Sequence, residues 1–165
     1  MNLLIALLTT AAIALAQHST MPAGMSHEEH MKQLAKDEAL KKRGGEAMRF
    51  DQDAAEHRFI IEPNGGSIQV TTKAGADPKV IADVRAHLKT IAADFKHGDF
   101  SKPFQTHAEV PPGVIGMQRS ASAITYTFEE MAGGGVVRIR TRDKDALRAI
   151  HEFLRYQIAE HHTGD

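Results

Sequence analysis

Ten histidines, seven methionines and no cysteine set the chemistry available to this chain. Neutral imidazole ligates transition metals and also works as a base near neutral pH. One group is His27, His30 and Met31, whose spacings of three and four residues place them on one side of a helix. With His18, Met21 and Met25 ahead of them, they form a candidate for loose metal capture. A second group is spread along the chain: His57 at the start of a strand, His107 in a proline-bounded stretch, Met117 beyond Pro112, and His151 on the last helix. Imidazole with thioether favours copper, and imidazole with carboxylate suits zinc, so copper or zinc is the expected ion. His151 and His161 lie about 15 Å apart along a helix axis, so one ion can take only one of them.

Other chemistries have less support. No Gly-x-Ser-x-Gly elbow occurs, and cysteine nucleophiles are absent. His27-Glu28-Glu29-His30 lacks the spacing of a His-Glu-x-x-His zinc motif. Gly65-Gly66 and Gly133-Gly134-Gly135 sit between strand patterns and read as hairpin turns, not phosphate loops. Asp51 and Asp53 read as a capped turn leading into the first strand. No catalytic residue is assigned. Each histidine also has a plain structural role open to it: His97, His161 and His162, near helix ends, can satisfy carbonyls there.

The elements that must position these groups follow from the apolar pattern. Residues 1–16 are uncharged apart from the amino terminus and end in Ala14-Leu15-Ala16, the pattern of a cleaved signal peptide. The expected location is therefore the periplasm or the outside of the cell. The apolar stretch is too short to span a bilayer, so no membrane association is expected after cleavage. Residues 17–56 read as a flexible tail and a charged helix, capped by Ser26 with Glu29 and ended by Gly44-Gly45 near Arg43. Residues 57–165 read as one α+β domain.

Within that domain the halves repeat. His57, Phe59 and Ile61 alternate toward Pro63-Asn64-Gly65-Gly66, with Ile68 and Val70 returning on the same face. Asp77-Pro78 then starts a helix carrying Ile81, Val84, Leu88, Ile91 and Phe95. Ile124, Tyr126 and Phe128, then Val137 and Ile139, form a second hairpin, and Asp143 caps a helix carrying Leu147, Ile150, Leu154 and Ile158. A duplicated ββα unit predicts a four-stranded antiparallel sheet with two helices on one face, preceded by an N-terminal helix. Ile61, Val70, Tyr126 and Ile139 are expected to face those helices. Ile60, Gln69, Thr71, Arg138 and Arg140 would lie on the open face, where a homo-oligomer contact could form.

Phe50-Asp51-Gln52-Asp53 followed by His57, Val110-Pro111-Pro112-Gly113-Val114 with Met117, and Ala149-Ile150-His151-Glu152-Phe153-Leu154-Arg155-Tyr156-Gln157-Ile158 through His161-His162-Thr163-Gly164-Asp165 resemble a family of small secreted bacterial proteins. The resemblance spans residues 44–165 and brings no activity with it. Some members of that family carry an aspartate carbamoyltransferase name. This sequence does not support it, being too short and lacking a Ser-Thr-Arg-Thr phosphate-binding run.

A formal charge of −1 gives no electrostatic case for nucleic acid or anionic lipid. Three functions stay open, ranked in this order. They are periplasmic metal binding or handling, an interaction module using the open sheet face, and a small enzyme with a histidine base beside Asp51 or Asp53.

Overall fold

The computed structural model describes residues 24–48 and 54–163. The expected signal peptide, Asp51, Asp53 and Gly164 lie outside those residues. The chain divides between Ala35 and Lys36 into two units. Among the described residues no helix is long and apolar enough to cross a membrane.

Helix α1 (His27–Met48) opens on the expected reciprocal cap. The Ser26 hydroxyl accepts from the Glu29 N–H at 3.3 Å, and the Glu29 carboxylate accepts from the Ser26 N–H at 2.9 Å. The helix does not stop at Gly44-Gly45 but continues to Met48, which corrects the sequence expectation. Each internal glycine costs a helix about 1 kcal/mol, and tertiary contact offsets it: Leu40 is buried, and Arg43 Nε donates to the Thr106 carbonyl at 2.9 Å.

Strands β1 (Ala55–Glu62) and β2 (Gly65–Thr72) form the first hairpin, and β3 (Ile124–Met131) and β4 (Gly134–Thr141) the second. Both turns are two residues long, Pro63-Asn64 and Ala132-Gly133, so Gly65-Gly66 and Gly134-Gly135 open strands instead of making the turns. At Gly66 a side chain would lie 2.2 Å from Leu154 Cδ1 and 2.4 Å from the Ile60 carbonyl. Glycine there lets the last helix close on the sheet.

The sheet order is β1-β2-β4-β3, with every neighbouring pair antiparallel. At its centre Gly66 pairs with Ile139, Ile68 with Val137, and Val70 with Gly135. Exchanging the two halves reproduces that register, as a duplicated unit requires. Helices α2 (Pro78–Lys96) and α5 (Lys144–His161) begin at Asp77 and Asp143, whose side chains accept from backbone N–H groups of their first turns. Helix α2 reaches across to β3 and β4, while α5 reaches back to β1 and β2. Each half therefore has its sheet covered by the other's helix, and neither could bury its apolar face alone.

Val70, Tyr126 and Ile139 join this core, as expected. Ile61 does not: it is 37% exposed, near the end of edge strand β1. On the open face, the ion pair Arg138–Glu129 (2.8 Å) ties β4 to its neighbour β3, and Arg140–Glu62 (2.7 Å) reaches from β4 across β2 to β1.

The proline-bounded stretch is more ordered than its composition suggests. It holds two short helices, α3 (Ser101–His107) and α4 (Val114–Arg119). Pro103 is tolerated in the first turn of α3, where backbone N–H groups have no intrahelical partner. Pro111-Pro112-Gly113 brings α4 onto α5. Gly113 has φ 85°, and a Cβ there would lie 2.1 Å from the Ala149 carbonyl and 2.7 Å from the Phe153 nitrogen. Gly113→Ala should therefore cost about 2–4 kcal/mol, from left-handed strain and overlap with backbone that cannot yield. The check is a lower urea midpoint at unchanged slope, and a loss under about 0.5 kcal/mol would contradict so close a contact.

Candidate functional site

Beside the core, four elements each bring one histidine to a single cavity of ≈ 70 Å³. Strand β1 supplies His57 from its inward face, α2 supplies His87, α3 ends in His107, and α5 ends in His161. Helix α5 also contributes Phe153 and Gln157, so residues 153, 157 and 161 recur at four-residue spacing along one side of it. The remaining wall is largely apolar, with Phe59, Ile68, Val70, Leu88, Ile91 and Phe95. The volume exceeds what one water needs and suits a few waters, a metal ion or a small molecule.

The rings are neighbours. His57 and His161 stack with centroids 5.9 Å apart and planes 20° from parallel, and His107 meets His161 edge-on at 5.3 Å. Phe59 lies 5.3 Å from His161. His107 Nε2 is 3.0 Å from Gln157 Oε1. With the amide oxygen toward the ring, Nε2–H is the donor and Nδ1 keeps its lone pair. That Nδ1 is buried without a hydrogen-bond partner, as is the Gln157 amide nitrogen. Lys102, on the cavity wall, is ion-paired with Asp94.

Burial disfavours the charged form of each ring. It pushes His57 down to about 4 and is the largest cause lowering His87 to about 4, with His57 and Lys102 adding to the effect. His161 goes down to about 3, through burial first and then through His57, His107 and His162. His107 is also lowered by burial, against the opposing hydrogen bond from Gln157. All four are neutral near pH 7, the form that ligates metals.

The set His57, His107, Met117 and His151 expected from sequence is divided. His57 and His107 line the cavity. Met117 is fully buried in the apolar core and is not on the cavity wall, so no thioether joins these imidazoles. His151 Nε2 sits 2.9 Å from the Glu62 carbonyl and 3.1 Å from that of Gly65, clamping the first hairpin's turn. His161 takes the place on α5 that His151 was expected to fill. His27 and Met31 are exposed and His30 half-buried, all on the first turns of α1. His97 has the capping role open to it, with Nδ1 2.7 Å from the Ala93 carbonyl.

Sequence reasoning overlooked His87. A signal was present: it lies three residues after Val84 and four before Ile91, on the border of the α2 apolar stripe. Among the described residues no group of three or more His, Cys, Asp or Glu side chains is arranged to hold a metal ion as the rings now stand. Comparison with protein-family models, curated proteins and solved structures finds no match.

Proposed function

We propose that the protein binds a copper or zinc ion through His57, His107 and His161. The observation that carries this reading is the buried, unpartnered His107 Nδ1, whose lone pair is fixed by the contact between Nε2 and Gln157. Metal-bound histidines commonly donate their second ring N–H to an oxygen in this way. Two imidazoles on one ion, with metal–nitrogen bonds near 2 Å, place their ring centroids about 5–6 Å apart. The separations of 5.9 Å and 5.3 Å fall in that range. Closure on an ion requires the stacked His57 and His161 rings to rotate, and the cavity beside them gives the space.

The purified chain should take up one equivalent of copper or zinc in equilibrium dialysis. His107→Gln and His161→Asn, each verified as folded by circular dichroism, should lose it, while a His27→Ala/His30→Ala variant should keep it. Absence of uptake, or uptake lost only in the α1 variant, would overturn the assignment.

A further inference from the structure

We propose that the occupant is monovalent copper, held by neutral imidazoles in a cavity with no carboxylate on its wall to offset a divalent ion. The inference rests on the proposed metal-binding reading and deepens it, and it is argued from charge.

The side chains lining the cavity include four histidines and several aromatic and aliphatic groups, but no carboxylate. Of the carboxylates nearby, Asp94 pairs with Lys102 and Glu160 with Lys36 at 2.6 Å, while Glu109, which accepts from the Tyr156 hydroxyl at 2.5 Å, is exposed to solvent and off the cavity wall. Lys102, itself on the wall, is matched by Asp94, so that pair supplies no net negative charge to an incoming cation.

Burying charge in apolar surroundings is costly and grows steeply with the charge. A divalent ion on neutral donors would leave two positive charges beside Phe59, Phe95 and Phe153, whereas a cuprous ion leaves one. Cuprous copper is satisfied by two or three soft or borderline donors, a number that His161 with its ring neighbours His57 and His107 can supply. Zinc would ordinarily complete four positions, with a water or an anion as the last.

Competition under anaerobic, reducing conditions tests this on the full chain. Bicinchoninate competes for cuprous copper, and 4-(2-pyridylazo)resorcinol competes for zinc. Cuprous copper should be retained at one equivalent, with zinc held about a hundredfold or more less tightly. Zinc held as tightly as cuprous copper, and lost in His107→Gln, would refute the charge argument while leaving the imidazole site in place. Zinc binding that appears only with added azide or chloride would support that argument, since an anion would then be supplying the missing charge. Retention of neither ion would remove the metal-binding reading and this inference together.

Discussion

The unfolding free energy of the metal-free chain is expected to fall by at least about 3 kcal/mol as pH drops from 6.5 to 4. The unfolded chain carries histidines that protonate near 6.5, whereas the folded chain holds His57 and His87 at about 4 and His161 at about 3. Between those values the unfolded state binds more protons, so stability is fully present above 6.5 and is lost as pH falls through the window. One ring held at about 4 accounts for about 3 kcal/mol, and the others add to it less than independently, because the rings repel one another once charged. The surrounding groups do not reverse the sign. His57 and His87 face each other, His87 also faces Lys102 and Asp94, and His107 faces Glu109, Glu160 and Arg43. Urea titrations at half-unit intervals measure the slope, and His161→Phe should flatten it. A stability constant from 6.5 to 4.5, above the range where most carboxylates titrate, would contradict the buried neutral cluster.

A comparable loss is expected from Phe153→Ala, at about 3–5 kcal/mol. Phe153 is 1% exposed and meets Phe95 and Phe100 edge-on, with centroids 5.8 Å and 6.0 Å away. Its ring joins the core to the cavity wall, so truncation removes aromatic contacts and also enlarges a space that already exists. Gly113 and α4 press against the same turn of α5, which limits how far the helix can move to refill it. Urea midpoints of wild type and variant give the difference. A loss below about 1 kcal/mol would show that α5 relaxes freely and that the packing argued for α4 and α5 is wrong.

The sheet was readable from the sequence because its signals are local. Phe59, Ile68, Val70, Tyr126, Val137 and Ile139 alternate at the period of a strand, and Pro63-Asn64 and Ala132-Gly133, each followed by a glycine pair, separate the runs. Asp77 and Asp143 mark both long helices with short polar side chains that accept from the first turn. What failed depends on tertiary contact. The continuation of α1 past Gly44-Gly45 rests on Arg43 meeting Thr106, a partner far away in sequence. The short helices α3 and α4 are too brief for periodicity to register, and prolines at their starts imitate a loop.

The candidate site was half legible for the same reason. His57 and His107 were picked out as residues whose surroundings permitted a role, yet nothing in the chain's periodicity says which histidine of α5 meets them. Helical arithmetic from Phe153 through Gln157 leads to His161, whereas His151 falls beside the turn of the first hairpin. His87 was hidden on the border of an apolar stripe, where a histidine is ordinarily just a core residue.

X-ray absorption on the chain loaded with one equivalent of copper, beside His107→Gln, tests the imidazole site most directly. The account predicts two or three nitrogen neighbours at about 2 Å with imidazole outer-shell scattering and no sulfur, all of it lost in the variant. A sulfur neighbour, or a spectrum unchanged by His107→Gln, would move the metal away from His57, His107 and His161 and contradict the account.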